Sequence, residues 1–191
     1  YSALTTLNEF WRYGGPQLVD FPFINTNSAT SFYATWYGCT NIKSFPLLNT
    51  SNGTNFNYTW YGCSGLTSFP LLDTSKGTNF AFGWYGCSSL TSFPLLDTHL
   101  GTDFNNAWYC CFGLTSFPLI DTSKGTNFNQ TWYSCSSLTS FPANFFDSWT
   151  GVPVVDCFKY TWYNCLRLTQ TSLQNIVASI AVSGQSAPAS G

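Results

Sequence analysis

Charged side chains are scarce in this chain. Asp, Glu, Lys and Arg make up 7% of its 191 residues, against roughly 25% in an ordinary globular domain, and the formal net charge is −2. So weak a charge provides no basic surface for nucleic acid or for an anionic membrane. Aromatic residues reach 19%, which gives ample apolar area for burial and argues against disorder.

Long apolar runs and methionine are also missing. No run of ~18–20 apolar residues occurs, so the sequence predicts no membrane-spanning helix. The chain starts at Tyr1 and contains no Met. We therefore expect a processed product, or part of a longer chain or assembly.

Tryptophan, in contrast, recurs at a nearly constant interval. Between Trp36 and Trp132 the spacing is 24 residues at every step, with related phrases around Trp11 and Trp162. A period of this length is typical of a repeat solenoid, in which each repeat stacks on its neighbours. We predict a single solenoid domain over residues 1–184, with about seven turns.

Each repeat contains a Phe, a Trp and a Cys at positions i, i+4 and i+7, as in Phe80, Trp84 and Cys87. This spacing places the three side chains on one face of a short helix, which we expect to point inward. The threonine two residues before the Phe, such as Thr78, is positioned to cap that helix. The preceding Gly77 indicates a turn with positive φ.

A Leu-x-x-Phe-Pro-Leu stretch follows and is the predicted strand, which would pair in parallel with its neighbours. If the Phe-Pro-Leu part stays extended, alternation places Leu66, Phe69 and Leu71 inward. The outward residues then form the predicted ligand-binding or assembly face: Ser68, Pro70, Leu72, Ser92, Pro94, Leu96, Ser116, Pro118 and Ile120. The alternative is that the chain turns after the proline and tucks the second leucine under the next loop.

Six of the eight cysteines share one position of the repeat. Their spacing does not suit zinc, and a buried apolar filler is the favoured interpretation. Cys110 and Cys157 lie outside that column, and whether a disulfide joins Cys157 to Cys110 or Cys165 is left open.

The column of Asp73, Asp97 and Asp121 indicates turns rather than a calcium site. We predict no metal and no cofactor.

No catalytic group emerges from the spacing. His99 is the single histidine and no Ser or Cys partner is suggested for it, while the remaining acids are scattered. We therefore expect no enzyme. An unrecognised active site would have to lie in the inserted loop 143–157.

The ends of the repeat array differ from its middle. Residues 1–20 match the repeat poorly and are predicted to form an N-terminal cap turn. Residues 171–184 have helical apolar spacing and are predicted to be a C-terminal capping helix. Residues 185–191 are small and polar, as in a tail or linker.

The motif Cys-x-x-Leu-x-x-Phe-x-Leu, preceded by a small residue and Trp-Tyr-x-Cys, resembles the BspA-like leucine-rich repeats over residues 4–170. The DTS and GCSSLTS phrases are similar to a subgroup found in bacterial surface proteins and phage structural proteins. The resemblance implies an α/β repeat solenoid: a right-handed coil with a short-stranded parallel sheet on one side and short helices on the other. Proline in the strand, and Phe and Trp in place of Leu and Ile, depart from the family pattern.

The resemblance and the polar, nearly uncharged exterior favour a non-enzymatic recognition or adhesion module of a surface protein or phage fibre. Such a module would bind a cell-surface protein or glycan through its solenoid face. The alternative is a structural building block of a self-assembling fibre or virion appendage, whose partners are copies of itself. Both hypotheses imply an extracellular, cell-surface or virion location, without nucleic acid or membrane insertion.

Overall fold

The computed structural model describes residues 4–14, 18 and 24–185. The chain winds into stacked coils of 24 residues, and parallel bridges join equivalent positions of neighbouring coils, as in Ser31 to Asn55 and Asn55 to Asn79. Residues one period apart in the sequence therefore lie side by side in the structure. This arrangement is a repeat solenoid, as the Trp spacing predicts; its handedness stays a prediction.

Regular secondary structure is sparser than the sequence predicts. Within the described ranges it consists of one helix, α1 (Gln170–Val182), and isolated parallel bridges without a continuous strand. The Leu-x-x-Phe-Pro-Leu stretch contributes one bridge, between Ser116 and Ser140, while the others lie just before the Phe of the Phe–Trp–Cys group. The predicted sheet is therefore reduced to single contacts, because proline lacks the N–H that a ladder needs.

The Phe–Trp–Cys segment forms successive turns, so the helix predicted there is wrong. The N–H of Thr59 donates to the carbonyl of Phe56, three residues back, and Tyr58 between them has a φ of 57°. Alternate N–H groups donate to the next coil instead, as from Trp60 to the carbonyl of Gly83 at 2.8 Å. Both features are incompatible with the i to i−4 bonds of an α-helix.

The inward direction predicted for the Phe–Trp–Cys group is nevertheless confirmed by its burial. Indole rings stack along the axis, with centroids 5.0 Å apart between Trp60 and Trp84 and 5.3 Å between Trp84 and Trp108. The ring of Phe69 meets Trp60 edge to face at 4.8 Å. The core is thus a set of aromatic columns, each continued from coil to coil.

The glycine and threonine before each Phe act differently from the prediction. Gly77 is not among the glycines with positive φ. It is required because a Cβ atom there would run into the ring of Phe80. The hydroxyl of Thr78 caps no helix; it donates to the carbonyl of Thr54 in the preceding coil at 3.2 Å.

Helix α1 lies in the region of the predicted capping helix 171–184. It begins after Thr169, whose hydroxyl accepts a hydrogen bond from the N–H of Ser172 at 3.2 Å. Ser172 and Ser179 then accept hydrogen bonds from the N–H groups of Phe141 and Phe146. No described helix is long and apolar enough to cross a membrane.

The inserted loop 143–157 contributes to the core as well as to the surface. Phe145, Phe146 and Trp149 are buried, and the indole N–H of Trp149 donates to the carbonyl of Gly125 at 2.6 Å. Val152 and Val155 are exposed. The N-terminal cap is described only in part, and of the tail 185–191 only Gln185 is described.

Candidate recognition surface

The chain turns sharply after each proline of the repeat. The N–H of Leu72 donates to the carbonyl of Pro70, two residues back, at 3.0 Å. A bond between residues i and i−2 closes a γ-turn around the intervening residue, here Leu71. The same bond recurs from Leu96 to Pro94 at 2.9 Å and from Ile120 to Pro118 at 3.0 Å.

This turn reverses the inward and outward positions expected for an extended strand. Leu71 is 62% exposed and Leu72 is 2% exposed. The prediction that Leu72, Leu96 and Ile120 face outward is therefore wrong, since all three belong to the hydrophobic core. The alternative, in which the chain turns after proline and buries the second leucine, describes the structure.

The first residue after each proline is exposed instead, and four of them form a row. Because bridges hold neighbouring coils in register, these leucines recur at ~4.8 Å along the axis. We call this row the Leu ridge: Leu47, Leu71, Leu95 and Leu119, which are 51–74% exposed. The remaining residues of the predicted face lie beside it, with Ser68, Ser92 and Ser116 exposed and Pro70, Pro94 and Pro118 half-buried.

Threonines precede the Leu ridge in three of its four coils, and exposed Lys43 takes the equivalent position in the coil of Leu47. Thr67, Thr91 and Thr115 are exposed. The hydroxyl of Thr67 donates to the carbonyl of Lys43 in the preceding coil at 3.1 Å. These threonines thus connect the coils and give this side of the ridge a polar border.

Carboxylates follow the Leu ridge on its other side. Asp73 accepts hydrogen bonds from the N–H and the hydroxyl of Ser75, at 3.1 and 2.7 Å, which hold the pKa of its carboxyl group below the usual range. Asp97 lies 2.7 Å from the imidazole of His99, and that hydrogen bond lowers its pKa. The predicted turns are confirmed by the equivalent bond at Asp121. Within the described part of the chain, no His, Cys, Asp and Glu cluster suits a metal.

The surface beside the ridge is shallow. The hollow next to Leu47 has a volume of about 250 Å³ and is lined by Ile24, Thr26 and Leu48 among others. Pockets for small ligands usually measure about 300–1,000 Å³. The hollow is therefore smaller than an ordinary small-molecule pocket.

A second surface feature was not predicted from the sequence. The tyrosine after each Trp stacks on its equivalents, with ring centroids 4.4 Å apart between Tyr61 and Tyr85 and 4.5 Å between Tyr85 and Tyr109. Desolvation raises the pKa of Tyr37 to about 12, and the neighbouring Tyr61 makes a smaller contribution in the same direction. The sequence does contain a sign of this tyrosine column, because a Tyr follows six of the seven repeat tryptophans.

The column cysteines are buried, as predicted, and they also form hydrogen bonds. The thiol of Cys63 donates to the carbonyl of Trp36 in the preceding coil at 3.2 Å, and that of Cys87 to Trp60 at 3.3 Å. All eight cysteines are free, and no disulfide joins Cys157 to Cys110 or Cys165 in the structure. Burial raises the pKa of Cys157 to about 11.

The coil-to-coil contacts define the class of protein as a repeat solenoid with a stacked aromatic core. No family model and no curated protein matches the chain. Among solved structures, the crystal structure of a T. pallidum leucine-rich repeat protein (TpLRR) is similar at a TM-score of 0.44 and 15% identity, covering 71% of this chain and 81% of that chain. This chain's own hydrogen bonds and parallel bridges define the repeat solenoid.

Proposed function

We propose that this chain is a non-enzymatic recognition module that binds a protein ligand through the Leu ridge. The supporting observation is the alignment of four leucines that are more than half exposed. Soluble monomers seldom expose a contiguous apolar row, and such rows mark interaction sites. Because the coils are held in register, the ridge presents these leucines as one rigid surface.

The chemistry of the ridge favours a protein over a glycan. Its contact groups are aliphatic, whereas hydroxyl-rich sugars require many polar partners. Protein interfaces combine an apolar centre with a polar rim. The threonines on one side of the ridge and the Asp73, Asp97 and Asp121 carboxylates on the other provide such a rim.

We further propose that the module works outside the cell, in a surface protein or a phage fibre. The support is the sequence resemblance to BspA-like repeats together with the nearly uncharged exterior. The alternative function, a building block of a fibre or virion appendage, depends on the ends of the stack rather than on the ridge.

Binding of a fluorescent chain to intact cells and to a glycan array tests this function. We expect saturable binding to cells of at least one type, which protease treatment of those cells abolishes. Leu71→Asp combined with Leu95→Asp should weaken this binding at least tenfold. The control, Thr40→Asp combined with Ser89→Asp, adds the same charge at exposed positions outside the ridge and should bind normally.

Three results would contradict the proposal. These are equal binding by the ridge variant and the wild type, binding that survives protease treatment and appears on the glycan array, and no saturable binding to any cell type. Circular dichroism of each variant is the control that tests whether the fold is retained.

A further inference from the structure

The hydrogen-bond ladder of the stack is incomplete at its C-terminal end. Inside the stack, alternate N–H groups of each coil donate to the next coil, as from Phe128 to Cys157 and from Trp132 to Thr161, both at 2.9 Å. In the last coil the equivalent N–H groups have no acceptor among the described residues. We call this set the C-terminal edge: the N–H groups of Phe158, Tyr160, Trp162 and Asn164.

Helix α1 does not satisfy these donors. Its serines accept hydrogen bonds from Phe141 and Phe146 instead. Tyr160, Tyr163 and Leu166, which lie along the C-terminal edge, are more than half exposed. An unpaired backbone edge with apolar neighbours is a template for pairing with another chain.

The opposite end of the stack carries the matching acceptors. Carbonyls of Cys157, Lys159, Thr161 and Tyr163 receive the ladder bonds in the last coil. Their equivalents in the first coil receive none from the described residues: the carbonyls of Thr6, Asn8, Phe10 and Arg12. A first coil from another molecule would thus have its acceptors in register with the C-terminal edge.

One side chain prevents that contact in this chain. Phe10 occupies a position that is small in every later repeat: Thr35, Thr59, Gly83, Ala107, Thr131 and Thr161. Side chains in this column lie against the preceding coil, since the hydroxyl of Thr59 donates to the carbonyl of Phe32 at 2.9 Å. A Cβ atom on Gly83 would lie 3.5 Å from the carbonyl oxygen of Phe56 in the preceding coil, which leaves no room for a ring.

Phe10 therefore stands where a preceding coil would lie. Its ring is 55% exposed and packs edge to face on Trp11, with centroids 4.5 Å apart. In a core packed this closely, a phenyl ring cannot be placed between two coils without forcing them apart.

We propose that the C-terminal edge docks a coil of the same repeat from another molecule, provided that the coil has a small residue at the Phe10 position. Phe10 closes the N-terminal end, so wild-type copies do not stack on one another. A head-to-tail contact of this kind does not close on itself and would grow into a filament. A blocking residue at one end is a device that proteins use against such growth.

The substitution Phe10→Thr tests the proposal by removing the ring. A threonine there can also donate to the carbonyl of Phe158 in a second molecule, as Thr161 does to Phe128 at 2.7 Å within the stack. We expect the variant to sediment as oligomers whose size grows with concentration, while the wild type remains a 21.2 kDa monomer. Phe10→Tyr keeps the ring and should stay monomeric, and Phe10→Ala provides a second opening variant if Phe10→Thr does not fold.

Mixing tests the polarity of the contact. Wild-type chains have an open C-terminal edge and a closed N-terminal end, so they should attach to the open N-terminal end of Phe10→Thr oligomers and end growth there. An equimolar addition should at least halve the mean oligomer length. The proposal is wrong if the folded opening variants stay monomeric, if wild type leaves their length unchanged, or if wild type itself assembles to the same extent.

Discussion

The N–H of Leu72 donates a 3.0 Å hydrogen bond to the carbonyl of Pro70, and this turn separates two adjacent leucines into different roles. Leu71 points into solvent and Leu72 into the core. Because the turn recurs with the repeat, one local bond generates both a buried column and the exposed Leu ridge.

Stability should depend on the Trp column more than on the Tyr column. Trp84 is fully buried between Trp60 and Trp108, so Trp84→Ala should cost roughly 3–5 kcal/mol of unfolding free energy. Tyr85→Ala should cost about 1–2 kcal/mol, because the tyrosine stays partly exposed and loses mainly its ring contacts. Urea denaturation measures both values. Equal losses of unfolding free energy in the two variants would contradict the prediction that the Trp column contributes more to stability than the Tyr column.

The 24-residue period and the buried Phe, Trp and Cys positions were predictable from the sequence, because spacing alone determines which residues recur side by side. The turns of residues 56–63 were not, because the i, i+4, i+7 spacing fits both a helix and this turn pattern. Only the inter-coil bonds, such as that of Trp60 to Gly83, decide between them.

The recognition surface was predictable in position but not in detail. The sequence indicated an apolar stripe after the proline, yet alternation assigned Leu72 outward and Leu71 inward. The γ-turn at Pro70 inverts this order, and nothing in the residue types alone separates two consecutive leucines.

Buried thiols should be unreactive in the native protein. Burial raises the pKa of Cys63 and Cys135 well above the usual range, and these residues and Cys87 are fully enclosed, so iodoacetamide should leave all three unmodified. Mass spectrometry after labelling detects each site, and the unfolded chain provides the control with all eight thiols modified. A reducing agent should leave the melting temperature unchanged. Labelling of Cys63 in the native protein, or a large drop in melting temperature on reduction, would contradict the assignment of these cysteines as buried free thiols.

Alkaline pH should weaken the stack through its tyrosines. Burial raises the pKa of Tyr37 from an unfolded value of 10.0 to about 12, so the folded state retains a proton that the unfolded state loses. The contribution of this group to stability is complete below pH 10 and is lost progressively as the pH rises to about 12. Melting temperatures between pH 9 and 12, compared with those of Tyr37→Phe, measure it. A variant with the same alkaline loss as the wild type would exclude Tyr37 as a cause.

The most direct test compares two pairs of leucine variants by their unfolding free energies. Leu72→Asp with Leu96→Asp places two unpaired carboxylates in the core, which should abolish cooperative folding. Leu71→Asp with Leu95→Asp changes only exposed positions and should keep the unfolding free energy within about 1 kcal/mol of wild type. A stable first pair and an unfolded second pair would contradict the account, because the Leu ridge would then be core.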